Sequence, residues 1–136
     1  MIAADIVMPV VNTDAVPITD IMTRATVSAR PDATLESVIA LMTHHHIGCV
    51  PIVDDLGRPT GIVTKLDLIE CRDDGRTTAR EVMMPNAMTI TTDASLARAA
   101  TLMAAESIHH LLVVDGNRAL VGVVSTLDIT RWLSQQ

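Results

Sequence analysis

The 136-residue sequence is nearly without aromatics: Trp132 stands alone, and Phe and Tyr are absent. Any core must be built from Val, Ile, Leu, Met and Ala, and an apolar content of 49% allows one. Basic residues are also scarce. Ten Lys and Arg against sixteen Asp and Glu leave a formal net charge of −6. That argues against a general nucleic-acid binder, which needs a basic face. It leaves room for a small anion held by local dipoles and a few cations. Cys49 and Cys71 are the only cysteines, too few for a disulfide framework, so reduced thiols are expected. No apolar run approaches the roughly 20 residues of a membrane span. Met1-Ile2-Ala3-Ala4-Asp5 carries an acid where a signal peptide carries bases. These absences predict a soluble cytoplasmic protein. Charged residues make up only 19% and no long polar tract occurs, so disorder is not expected.

What is present is a repeat. Gly61-Ile62-Val63-Thr64-Lys65-Leu66-Asp67 returns as Gly122-Val123-Val124-Ser125-Thr126-Leu127-Asp128, each member displaced by the same interval. The register extends in both directions. Asp20-Ile21-Met22 matches Glu81-Val82-Met83, and Asp32-Ala33-Thr34-Leu35 matches Asp93-Ala94-Ser95-Leu96. Ile47 matches Ile108, and Val53-Asp54 matches Val114-Asp115. An ungapped duplication from Asp20 to Ile69 means two equivalent folding units.

Each unit reads as strand, helix, strand, strand, helix, so the fold class is α/β (α+β) with mixed strand directions. In the first unit, Thr26-Val27-Ser28 is predicted as a short strand. Asp32 or Thr34 then caps a helix in which Leu35, Val38, Ile39, Leu41 and Met42 recur at helical spacing. Ile47 to Val53 is a buried strand, Asp54 to Arg58 a turn, and Gly61 to Val63 the returning strand. Thr64 opens a short helix. Pro51, matched by Leu112, cannot donate to a ladder and belongs at an edge or a strand start, so the two halves should differ locally. The organisation is an arm over 1–15, a first motif over 16–72, a linker over 73–78 and a second motif over 79–136. Within the arm, Met8-Pro9-Val10-Val11 could add an edge strand. Units this short are marginal alone. They should bury their sheets against each other with approximate two-fold symmetry and equivalent grooves.

A Ser or Thr followed three residues later by an acid is a helix capping box. The same geometry can do other chemistry. The carboxylate can accept both hydroxyls of a ribose, while the hydroxyl and the helix N–H groups face a phosphate. The residues alone leave both readings open.

The ordered set of Asp20-Ile21-Met22, Pro31-Asp32-Ala33-Thr34-Leu35, Val50-Pro51-Ile52-Val53-Asp54 and Gly61 to Asp67, each with its second copy, resembles the CBS domain pair, or Bateman module. The resemblance covers Val16 to Leu133. It implies clefts between the two motifs that take adenosine-containing ligands: AMP, ADP, ATP, S-adenosylmethionine or NAD. It also implies pairing into homodimers and regulation of a partner or effector protein. By the family pattern, Asp67 and Asp128 would hold ribose, and Thr64 and Ser125 would touch phosphate. Val27, Ile47 and Gly48 would face the Asp128 site, and Met88, Ile108 and His109 the Asp67 site. Ile62 and Val123 would add apolar walls. His109 and His110 fall where the family places a phosphate-contacting basic pair, with Lys65, Arg30, Arg58 and Arg118 as further candidates. The few cations favour a mono- or diphosphate over a triphosphate.

No cofactor is required on this reading; the adenine nucleotide is a regulatory ligand. His44-His45-His46 looks like a metal tract, but neighbours on a helix point about 100° apart, so a solvated helix end is expected and no metal. Met22, Met42, Met83 and Met103 read as core filling rather than a dimer surface. No nucleophile–base pair or glycine-rich phosphate loop occurs, so an enzyme is not expected. The alternative to a sensor is a structural or dimerisation module whose acids only cap helices.

Overall fold

The computed structural model describes residues 12–25, 27–71 and 77–136. Met8 to Val11 and Asp73 to Arg76, assigned above to arm and linker, lie outside the described residues.

The repeat is visible element by element. Helix α1 (Leu35–His45) starts where the Thr34 hydroxyl accepts from the Ser37 N–H, and α4 (Leu96–Glu106) starts where Ser95 accepts from Arg98 N–H. Thr34 rather than Asp32 is therefore the cap. Both helices end on a left-handed residue, His46 (φ 54°) and Ser107 (φ 53°). Each bears one buried stripe: Leu35, Val38 and Met42 in α1, Leu96, Ala99 and Met103 in α4. The hairpins follow in register. Strands β2 (Cys49–Val53) and β3 (Pro59–Thr64) pair antiparallel, as do β6 (His110–Val114) and β7 (Leu120–Ser125). Asp54 and Asp115 each fold back onto two N–H groups of their turn, the Asx geometry that favours Asp there. Short helices α2 (Lys65–Glu70) and α5 (Thr126–Ser134) leave the last strands.

The first strand of each unit differs from expectation. In the second unit, β5 (Thr89–Thr91) pairs parallel with β6, two positions beyond the repeat-mate of the expected segment. In the first, Val27 and Ser28 lie in no strand, Thr26 is outside the described residues, and pairing shrinks to a single bridge, Ala29 with Ile52. Pro51 supplies the reason. Leu112 donates its N–H to Met88 C=O at 3.1 Å, whereas Pro51 has no N–H to give. Among the described residues, Ala29 N–H to Pro51 C=O (3.0 Å) and Val53 N–H to Ala29 C=O (2.9 Å) remain. Pro51 sits mid-strand, but on the edge strand of its three-stranded sheet, where the missing donor is tolerated.

The lead-in segments are exchanged. Strand β1 (Thr23–Arg24) opens the first unit but pairs with β7 of the second. Helix α3 (Ala79–Val82) and β4 (Met84–Pro85) open the second unit, yet β4 pairs with β3 of the first. The sheets are thus β1-β7-β6-β5 and β2-β3-β4. The cores follow suit. Ile18 and Ile21 are buried with Ile90, Leu96, Leu111, Val113 and Val124, while Ala79 is buried with Val38, Val50, Ile52 and Val63. A third cluster, Cys49, Ile62 and Leu112, joins the units at their seam.

The exchange explains the glycine that heads each motif. A Cβ at Gly61 would lie 2.6 Å from Met83 Sδ and 2.7 Å from Met84 C=O. At Gly122 it would meet Met22 Sδ. The lead-in strand can approach only a residue without a side chain. Met42 and Met103 are buried, and Met22 and Met83 pack against the cores.

Candidate functional site

Thr64 and Ser125 are the last residues of their strands and the N-caps of α2 and α5. Thr64 N–H donates to Asp67 Oδ2 (2.7 Å), Thr64 Oγ1 donates to the same oxygen (3.0 Å), and Asp67 N–H returns to Thr64 Oγ1 (3.4 Å). In the second copy, Ser125 N–H donates to Asp128 Oδ2 (2.8 Å) and Asp128 N–H to Ser125 Oγ (3.0 Å). Both are complete capping boxes. The structural reading of the motif is therefore realised, and it occupies only Oδ2. Asp128 Oδ1 has one distant neighbour, Arg131 Nη1 at 3.9 Å. A carboxylate offers about four lone-pair sites, so each cap keeps acceptor capacity.

Beside each box lies an open cleft. The Asp128 cleft, about 250 Å³, is walled by Val27, Ile47, Gly48 and Val123, with Ser125 and Asp128 at the helix start. The Asp67 cleft, about 390 Å³, is walled by Ile62, Met88 and Ile108, with Thr64, Lys65, Asp67, His109 and His110 around it. Each cleft therefore draws its carboxylate from one unit and part of its apolar wall from the other. Within each unit the backbone ties the residue before the buried strand to the short helix: Lys65 N–H donates to Gly48 C=O (3.1 Å) and Thr126 N–H to His109 C=O (3.0 Å).

The clefts are not copies. The exchanged segments contribute Thr23, Arg24 and Ala25 to the Asp128 cleft but Met84, with Ala87 just after it, to the Asp67 cleft. Sequence reasoning missed these five, because the strand exchange is what brings them in. It also missed Cys49, Pro51, His46 and Leu66. Lys65 lies over Gly48, its Cε 3.7 Å from where a Cβ would stand. The repeat reverses this pair: His109 stands in place of Gly48, and the shorter Thr126 in place of Lys65.

Burial sets the titration of two lining groups. It pushes the Cys49 thiol up to about 11, with Asp128 adding to the effect. It also pulls His110 below the usual imidazole range; His109 adds to that, and Asp128 opposes it. Three arginines offered above as phosphate partners lie elsewhere. Arg30 pairs with Asp55, while Arg58 and Arg118 line a separate depression between the hairpin turns. His44 and His45 meet edge to face at the exposed end of α1. Among the described residues, no grouping of His, Cys, Asp and Glu could hold a metal ion, and no helix is long and apolar enough to cross a membrane.

Comparison with known proteins agrees with this geometry. The CBS domain family model matches twice, over residues 18–74 and 79–135. The chain belongs to the CBS domain family. It is 33% identical to the CBS domain-containing protein YhcV of Bacillus subtilis, over 81% of this chain and 80% of that protein. It is 30% identical to L-aspartate semialdehyde sulfurtransferase of Methanocaldococcus jannaschii, over 82% of this chain but 22% of that enzyme. Two further curated relatives are also longer, the chain spanning 61% and 32% of their lengths. Among solved structures, the CBS domain pair of protein MJ0100, in complex with 5′-methylthioadenosine and S-adenosyl-L-methionine, superposes with a TM-score of 0.81 at 28% identity. That match covers 88% of this chain and 96% of that one. The tandem CBS pair and its mixed α+β fold, anticipated from the repeat, are thereby established.

Proposed function

We propose that this chain is a regulatory module that binds adenosine-containing ligands in its two clefts and signals to a partner protein through the relative placement of its two units. The observation that carries the reading is the pair of open clefts, each joining a capped carboxylate of one unit to an apolar wall from the other. A ribose diol on the uncommitted carboxylate oxygen, a purine between apolar side chains and a phosphate toward the helix N-terminus use the groups present. The ligands of the MJ0100 pair support an adenosine moiety. The roles follow the motif: Asp67 and Asp128 for ribose, Thr64 and Ser125 with Lys65, His109 and His110 for phosphate. Val27, Ile47, Gly48, Ile62, Met88, Ile108 and Val123 would enclose the base. The module acts in the cytoplasm, needs no cofactor and performs no catalysis itself.

Homodimerisation belongs to the same reading. Leu66 and Ile69 on α2 and Leu127 and Leu133 on α5 are exposed, and a second copy would cover them. Light scattering should give a dimer mass that Ile69→Asp reduces to a monomer.

Titration calorimetry with AMP, ATP, NAD and S-adenosylmethionine tests the central claim. A ligand at a hundred times its Kd also adds about 2.7 kcal/mol of stability, a clear thermal shift. A second reading is favoured by one observation, the completed capping boxes: the acids serve only as caps and the module is structural. Lack of any shift with every adenosine compound would support it.

A further inference from the structure

Two residues line both clefts, Gly48 and His110. Gly48 has no side chain, so His110 is the side chain the two sites hold in common. It is the first residue of β6 and is half-buried. The repeat is least symmetric here. Gly48-Cys49 in the first unit corresponds to His109-His110 in the second, so one unit supplies both imidazoles where the clefts meet.

We propose that His110 is a shared donor that couples the two clefts, giving its N–H to an anion on one side when neutral and one N–H to each side when protonated. A neutral imidazole has a single N–H, and its other nitrogen is an acceptor that repels an anion. The imidazolium donates from both nitrogens. Filling both clefts with phosphate-bearing ligands therefore draws a proton onto His110. By reciprocity, protonation favours the doubly filled state.

The neighbours set the starting point. Burial is the largest influence and disfavours the proton; His109, just before the strand, also opposes it, and Asp128 favours it. Arg24 of β1, His46 beyond α1 and Cys49 of β2 face it across the Asp128 cleft; Lys65 and Asp67 of α2 face it across the other. The clefts thus hold cationic and acidic groups around it. An anion bound in either cleft adds negative charge beside the imidazole and favours its proton.

The inference rests on the clefts being nucleotide sites, and the experiment separates the two claims. The ring-proton resonance of His110, assigned by its loss in His110→Gln, is titrated with and without saturating AMP. The comparison is made in the wild type and in Asp67→Ala, which weakens ligand in one cleft. The expected result is a midpoint that moves to higher pH with AMP, and moves less in Asp67→Ala. Calorimetry supplies a second readout. The ratio of the two stepwise AMP affinities should shrink by about threefold or more from pH 8 to pH 6.5, and should not change with pH in His110→Gln. A midpoint unmoved while AMP binds, or moved equally in Asp67→Ala, overturns the coupling and leaves the nucleotide reading standing. No binding of AMP overturns both.

Discussion

Asp128 has two tasks on this account, and two substitutions separate them. As a cap it accepts the Ser125 N–H at 2.8 Å through Oδ2. As a ligand group it offers its charge and its second oxygen to a ribose. Asp128→Ala removes both. The lost hydrogen bond from Ser125 N–H costs about 0.5–1.5 kcal/mol, and at about 4 °C per kcal/mol the midpoint of unfolding falls by about 2–6 °C. Asp128→Asn keeps an oxygen for the Ser125 N–H and loses only the charge at the helix N-terminus, worth about 0.3–1 kcal/mol. For binding the two variants converge. Each loses charge-assisted hydrogen bonds of about 1.5–3 kcal/mol, a weakening of about tenfold to a hundredfold. Scanning calorimetry and AMP titration should therefore rank wild type, Asn and Ala in that order of stability, with both variants binding poorly. If Asp128→Asn binds AMP as tightly as the wild type, the carboxylate is only a cap and the assignment of that cleft fails. Asp67→Asn makes the same test at the other.

Burial that lifts the Cys49 thiol from 9.0 to about 11 disfavours the thiolate in the folded state. The associated stability is fully present below pH 9 and is lost as pH rises through 11, a fall of about 2–3 kcal/mol. Urea unfolding at pH 8 and pH 11 should show it, and Cys49→Ala should not share it. Gly61→Ala drives a Cβ into Met83 and the Met84 carbonyl and should cost about 1–3 kcal/mol. Gly116→Ala meets nothing within 4 Å and should stay within about 0.5 kcal/mol of wild type. Ile18, fully buried in the second unit's core, should cost about 2–5 kcal/mol on truncation to Ala, although it belongs to the start of the first unit. A cost under about 1 kcal/mol in urea unfolding would mean the lead-in segment does not dock there.

What could be read from the sequence was whatever the repeat states locally. Thr34 and Ser95 announce helix starts, Asp54 and Asp115 announce turns, and Thr64 with Asp67 announces a cap; each signal acts over three or four residues. The exchange of lead-in strands was not readable. Thr23 sits beside Val123 and Met84 beside Ile62, and no local preference encodes a partner that far along the chain. One signal did point there: Gly61 and Gly122, conspicuous at the head of each motif, needed a backbone neighbour to explain them. The cost fell on the clefts, where Arg24 and Met84 went unseen, and on Arg30, Arg58 and Arg118, which composition alone could not place. Pro51 was read correctly as an edge residue. Its effect on Val27 and Ser28 was missed because the strand it truncates is a different one.

The capping boxes first look like an argument against a binding role, since each carboxylate turns toward its own backbone. The balance of groups says otherwise. A carboxylate free in an open cleft would lose side-chain freedom on meeting a ligand, and that loss would subtract from affinity. With Oδ2 already fixed by the Thr64 or Ser125 N–H, the remaining oxygen is held in one place beside an apolar wall before any ligand arrives. The short helix it caps is held by the same bonds, so its N-terminal N–H groups are also aimed in advance. On the proposed reading, folding and recognition would draw on one carboxylate without competing for the same oxygen. A purely structural cap needs neither an open cleft beside it nor a wall contributed by the other unit, and each of these caps has both.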